Sequence, residues 1–461
     1  MSPLMILFFL VLVDHSAVAT TYYVAINGND SYDGLYPSYQ GSPKGPFKTI
    51  NKGTSALGPG DTLYLRGGTY HQTVSVPNSG TSGRPITIAN YPNETAVLDG
   101  QDTLPTIHWG SLFSVQGNYV VVRNLEMKNS NWMGLHVSGT HVQVVNVSSH
   151  HHMENGILVS GNYGLVKNCR VWWNCKSNEY GSNRRGNWAS GLSAARHPQY
   201  VTIRDCVVWN NWGEGLSTFE ASHTTMEGNV VYDNQTNIYI SDTTYCLCHR
   251  NLVYSTPNNA FFSTPGDQVG IMMGDERYTP PSSNNTVINN LCLGNKVNLY
   301  WWQGASGGGL VNALIAYNTL VNSVYETNFR ISAGAHSNSR VQNNIFIQEG
   351  ALPVAVVPTD VGLSFANNCW AKTPPSTAVG TADVVGDPQL TRSGQNAPGV
   401  LTADWFKILT TSPARDKAKV LPQVPRDFFK AIRGSYPDIG AHEYGGGETE
   451  SPNLPAGLRI P

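Results

Sequence analysis

The sequence predicts an all-β chain wound as a solenoid, and three observations carry that prediction. Composition is turn-rich and poor in helix-forming charge, with 46 Gly and only 13% charged residues in 461. From about residue 119 a strand-length apolar pattern recurs at intervals that start near 22 residues. One column of that repeat is dominated by asparagine.

The first residues, MSPLMILFFLVLVDHSAVAT, join an apolar stretch to Ala17-Val18-Ala19. This fits a secretory signal over 1–19, cleaved after Ala19, and a secreted or periplasmic chain. Nothing later approaches the roughly 18 consecutive apolar residues of a membrane-spanning helix. A net charge of -2 provides no broad basic field, so neither nucleic acid nor a membrane surface is an expected partner, and the chain is expected to be a monomer. Seven Cys is an odd number, so at least one thiol has no intrachain partner, and the CLC at 246–248 is not a zinc spacing. Sequons start at Asn29, Asn93, Asn146, Asn234 and Asn284.

The repeat reads as a strand, a polar corner and a second strand. On the first strand, RNLEM, VNVSS, NCRVW, DCVVW, GNVVY, RNLVY, NNLCL, YNTLV and NNIFI align Asn124, Asn146, Cys169, Cys206, Asn229, Asn251, Asn290, Asn318 and Asn344, with Asn368 following. Buried amides stacked in this way satisfy backbone at their own turn and the next rung, so the ladder is structural. On the second strand, GLHVSG, GILVSG, GLSAAR, GLSTFE, NIYISD, GIMMGD, NLYWWQ and NFRISA place Leu135/Val137 through Phe329/Ile331 inward by the two-residue period. Parallel coils of this kind bond only to the coil above and below.

The segments TYYVAINGNDSYDG, GPFKTINKG, GPGDTLYLRGGTY, GRPITIANYPNETAVLDG and DIGAHEY resemble the pectate-lyase-like superfamily over roughly residues 21–445. The N-terminal motifs are most similar to family 9 pectate lyases. The resemblance implies one single-stranded right-handed parallel β-helix with an N-terminal cap over 20–445, an irregular C-terminal segment from about 370, and a flexible tail over 446–461. It does not carry a reaction, because the family's adjacent acidic calcium motif and its lysine-bearing strand are absent from the sequence.

The sixth position of the second strand reads Arg196, Glu220, Asp242, Asp275 and Gln303, so three acids stack on consecutive coils about 4.8 Å apart. Carboxylates so close split in pKa, as a proton donor and a nucleophile require. The expected function is a secreted enzyme cleaving a polysaccharide, acidic or neutral, by carboxylate-assisted hydrolysis without a cofactor. Glu220, Asp242, Asp275, Glu214 and Arg196 are the catalytic candidates, and Glu276 is a nearby alternative. A lyase reading uses Glu220, Asp242 and Asp275 to hold Ca²⁺ and takes Arg196, Lys296 or Arg330 as base. A third reading is a glycan-binding surface protein, and the bland one is a solvated corner of acids paired with Arg196 and Arg250. Tyr239, Phe219, Tyr300, Trp302, Trp188 and Arg330 are the expected substrate-binding residues, since flat rings suit sugar CH faces. The loop near 172–190 and the one over 255–287 are expected to wall the site. Consecutive histidines at 150–152 point to alternate sides and are not expected to converge on a metal.

Overall fold

A computed structural model describes residues 18–182, 184–185, 188–257, 268–277 and 282–446. The expected signal peptide, apart from its last residues, and the tail beyond 446 lie outside the described residues. Three parallel sheets of 13, 11 and 13 strands wrap one right-handed solenoid, so each full coil has three strands. One coil runs Val120–Arg123, Glu126–Lys128 and Met133–Val137 before Gln143–Val145 starts the next. We number the sheets first, second and third in that order.

The repeat of two strands is thus a repeat of three. The segments taken as a first strand straddle a corner, where Asn124, Asn146, Asn168, Asp205 and Arg250 all have left-handed φ between 53° and 57°. Pairing of Glu126 with Ser148 and of Ser148 with Arg170 puts Leu125 and Val147, not Asn124 and Asn146, in line with Cys169. Both asparagines therefore belong to the neighbouring corner column. Asparagine tolerates the left-handed conformation there better than most residues, which is why the two columns look alike in sequence.

From Asn229 onward the buried ladder is as expected. Each amide donates to the next carbonyl oxygen, through Asn229–Asn251, Asn251–Asn290, Asn290–Asn318, Asn318–Asn344 and Asn344–Asn368, at 3.0–3.1 Å. A second ladder escaped the sequence reading. It runs Asn174–Asn211–Asn234, then Asn234–Asn237, Asn237–Asn295, Asn295–Asn298 and Asn298–Asn328. This explains the first position of the third-sheet motif, which is either Gly or Asn. A Cβ on Gly215 would sit 2.5 Å from Asn234 Nδ2, and Asn237 itself joins the ladder. The Asn234 sequon is accordingly buried.

The inward pairs of the third sheet, from Leu135/Val137 to Phe329/Ile331, are all buried, and they form the continuous core. The short helix Ile50–Ala56, capped by Thr49, closes its N-terminal end by packing on Leu63 and Val24. All seven cysteines are free and buried. The C-terminal segment is irregular but packed: Leu390, Trp405 and Phe406 cover Tyr232, Tyr254 and Leu291 on the outside of the second sheet. Within DIGAHEY, Gly440 and Glu443 accept from buried Arg433, whose guanidinium lies 3.8 Å over Tyr317. On the corner before the first sheet, Tyr119, His141, Tyr163, Tyr200, His223 and Tyr245 stack ring on ring at 4.7–5.0 Å.

Candidate active site

The third sheet presents its outer face as the working surface. Its register matches the sequence alignment: Leu192, Leu216, Ile238, Ile271 and Leu299 pair in turn, and Ser217, Tyr239, Met272, Tyr300 and Arg330 form one outward column. Asp275 lies opposite Gln303 at the end of the ladder. Glu220 and Asp242 turn out of it with φ of 49° and 47°.

The structure separates the acidic column by what each carboxylate touches. Asp242 is fully buried and accepts the backbone N–H of Glu276 and Arg277 at 3.1 and 3.0 Å, plus the Ser241 hydroxyl at 3.0 Å. Asp275, also buried, accepts the N–H of Ser282 at 2.7 Å and of Gly309 at 3.2 Å. Both thereby fasten the chain entering and leaving the loop after Asp275. Glu220 pairs with Arg277 at 2.6 Å and lies 3.9 Å from His197 Nε2. A calcium ion asks for six to eight free oxygens, and this donor set does not fit it, because the Asp oxygens already hold amide protons. Among the described residues no group of three or more His, Cys, Asp or Glu could hold a metal.

The candidate bases are likewise committed elsewhere. Arg330 at 2.6 Å and Lys296 at 3.5 Å both pair with Glu326, and Arg250 pairs with Glu227 rather than with the column. Arg196 is the exception: among the described residues it has a ring partner, Trp109, at 6.0 Å, and no carboxylate. The histidines do not simply alternate: His150 and His151 meet at 2.6 Å between their Nδ1 atoms, beside Trp172 and Trp173, while buried His152 alone turns away and accepts Ser130 N–H at 3.0 Å.

A second group of side chains starts with Glu214 at the opposite, N-terminal end of its strand, runs along the outward face, and is met by Glu276 from the C-terminal end of Val269–Asp275. Gly215 and Leu216 both face inward, so Glu214 is turned outward beside Ser190, its register partner. The Ser190 hydroxyl lies 3.0 Å from Glu214 Oε2, and hydroxyls continue from Ser190 to Ser217 at 2.7 Å and from Ser217 to Ser193 at 2.8 Å. Burial pushes the Glu214 carboxyl up to about 7; Ser190 and Trp188 as donors hold it down, and the Glu276 charge pushes it further up. Tyr239 donates to Glu276 Oε1 at 2.8 Å. Burial, and then Glu276, raise that phenol above its ordinary value. The cluster therefore pairs a carboxyl that keeps a proton near neutrality with an exposed carboxylate held by a tyrosine.

The aromatic candidates divide too. Tyr239 is buried and belongs to the cluster, Trp188 is 48% exposed beside Glu214, and Trp302 is half-buried. Phe219 lies under the Arg277 guanidinium at 5.3 Å and Tyr300 under Arg330 at 5.1 Å. Part of each predicted loop wall, residues 183, 186–187, 258–267 and 278–281, lies outside the described residues.

Residues 22–338 match the Pel9A-like right-handed β-helix region. The chain belongs to that family. Within the family's reach, it is 31% identical to the protein YwoF of Bacillus subtilis over 30% of this chain and 25% of YwoF. It is 25% identical to pectate lyase L of Paenibacillus polymyxa over 48% of this chain and 51% of that protein, so it spans about a quarter of the first relative and about half of the second. Pectate lyase PEL9 of Emericella nidulans is 22% identical over 60% of this chain and 67% of its own length. Among solved structures, pectate lyase Pel9A superposes with a TM-score of 0.55 at 20% identity over 93% of this chain and 97% of its own. Membership thus fixes the family's fold here, and the chemistry has to be argued from the side chains.

Proposed function

We propose that this protein is an exported enzyme that cleaves a polysaccharide lying along the outer face of the third sheet, working as a monomer. The observation that carries the reading is Glu214 at about 7 in the same cluster as Glu276 and Tyr239. In hydrolysis, Glu214 protonates the leaving glycosidic oxygen, and Glu276 acts from the other side of the sugar as nucleophile or as base toward water. Tyr239 positions Glu276. The hydroxyl chain Ser193–Ser217–Ser190 orients the Glu214 carboxyl so that its proton is presented to substrate. Glu220, Asp242 and Asp275 serve the site by holding the Arg277 side of the groove in place. No metal is required by this reading.

Elimination on a uronic-acid polymer is the second reading, supported by relatives that are named pectate lyases. In it the same cluster removes the proton and Arg277 faces the uronate. The two separate in one experiment: polygalacturonate and neutral polysaccharides are incubated with the chain, with and without EDTA, while reducing ends and the ultraviolet absorbance of an unsaturated product are followed together. Reducing ends alone support hydrolysis, and absorbance rising with them supports elimination. Neither signal on any polymer refutes cleavage and leaves a glycan-binding protein.

A further inference from the structure

The N-terminal coils of the third sheet carry an aromatic and cationic surface that the cluster at Glu214 does not use. Trp132 immediately precedes the strand Met133–Val137, and Trp109 lies two residues before Ser111–Val115. The two indoles are 5.8 Å apart with planes inclined by 36°. Arg185 covers Trp132 at 3.9 Å from the ring centre, and its side chain is fixed by bonds to Asn131 O and, at 2.9 Å, to Asn131 Oδ1. One face of Trp132 is thereby filled, whereas Trp109 remains 40% exposed.

The remaining cation of this surface is Arg196. It reaches back from the far end of its strand, and its guanidinium lies 6.0 Å from the Trp109 ring. Its charge also falls on His136, whose imidazole burial first and Arg196 second hold down at about 4, so that neutral His136 offers no competing cation. Among the described residues no carboxylate pairs with Arg196. An indole face beside an uncommitted guanidinium, on an enzyme surface whose opposite half is acidic, recognises a flat sugar ring bearing an anionic substituent.

Register gives the distance. Leu135, Ile157, Leu192 and Leu216 pair in sequence, which sets Trp132 three coils from Glu214 and Trp109 four. At about 4.8 Å per coil their backbones lie about 14 and 19 Å along the axis, several sugar units from the scissile bond. Arg196 starts on the coil next to Glu214, and it is its guanidinium that reaches back to the Trp109 ring. We propose that Trp109 and Arg196 form a remote subsite that holds an acidic sugar of a long substrate chain and leaves short oligosaccharides unaffected. The proposal rests on the placement of the reaction centre at Glu214, and the test separates the two.

Binding of trigalacturonate and octagalacturonate is measured by calorimetry on Glu214→Gln, which is expected to bind without turnover. Trp109→Ala and Arg196→Gln, each added to that background, are expected to weaken octamer binding about tenfold, the factor that corresponds to about 1.4 kcal/mol. Trimer binding should be unchanged, and Trp109→Phe should restore most of the octamer affinity. Equal losses on trimer and octamer overturn a remote subsite, as does an octamer affinity that neither substitution changes. Failure of the parent protein to bind either oligomer overturns an acidic-sugar subsite. Full turnover by Glu214→Gln removes the reaction centre, whereas a length-dependent effect of Trp109→Ala in that case still places the aromatic subsite on the groove.

Discussion

Replacing Asn290 by alanine tests the structural core of this molecule. Its Oδ1 accepts the Asn251 backbone N–H and Nδ2, both at 3.0 Å, and its Nδ2 donates to Cys248 O and Asn318 Oδ1, both at 3.0 Å. Four hydrogen bonds at about 1 kcal/mol each give about 4 kcal/mol of lost stability, with no water at hand to satisfy the orphaned groups. The matched control is Asn146→Gly, which removes one exposed amide contact to Asn124 and puts glycine at a φ of 55°, where Gly228 already sits at 64° in the same corner column. That change should stay within about 0.5 kcal/mol. Urea unfolding followed by far-ultraviolet circular dichroism at constant slope measures both. A cost below about 1 kcal/mol for Asn290→Ala, or an equal cost for the two, would refute the assignment of Asn290 and Asn146 to different columns with different work.

Glu214→Gln should abolish turnover while Asp242→Asn, whose carboxylate holds backbone amides, should lower it far less; steady-state rates with melting curves decide. In the wild type, turnover that needs protonated Glu214 should fall as pH rises through about 7, a descending limb read from a pH–rate profile. Fully buried Glu154, beside Ser177 and Arg185, is also pushed up, from 4.5 to about 7, by burial. Its folded value lies above the unfolded one, so its contribution is complete below pH 4.5 and is lost as pH rises through about 7. Glu154→Gln should therefore stabilise the chain relative to wild type above pH 7 by at most about 3 kcal/mol in denaturation curves across pH. All seven thiols are buried, so a thiol reagent should label none in the native chain and all seven after unfolding, a count made by mass spectrometry.

The third sheet was legible because its inward pairs recur with a strict period, and every one of them is buried. The corner before the second sheet was less so, since asparagine serves two physical ends there: a buried amide at Asn229 and a left-handed backbone at Asn124. Composition cannot tell those apart. The second ladder was hidden for a related reason, because Asn234 and Asn237 come from different positions of the repeat, and Asn237 reaches the next rung, Asn295, only through the fold. The acids of the column were found at their right rungs, yet what they bond, backbone amides for Asp242 and Asp275 and the Arg277 side chain for Glu220, has no sequence signature. Glu214 was named for its position, and the signal that sets it apart, the glycine at 215 turning two successive residues inward, was present in every Gly-Leu motif.

The two amide ladders tie the coils from Asn174 to Asn368 to one another, and strand pairing ties the earlier ones, so no coil in the middle can leave without breaking bonds on both flanks. Loss of structure must enter where a coil has one neighbour. At one extremity that entrance is shut by the helix Ile50–Ala56; near the other, DIGAHEY is latched by Arg433 onto Asn289 and over Tyr317. The lifetime of this protein is therefore set by two small latches rather than by the long core between them, and a protease has two doors to try.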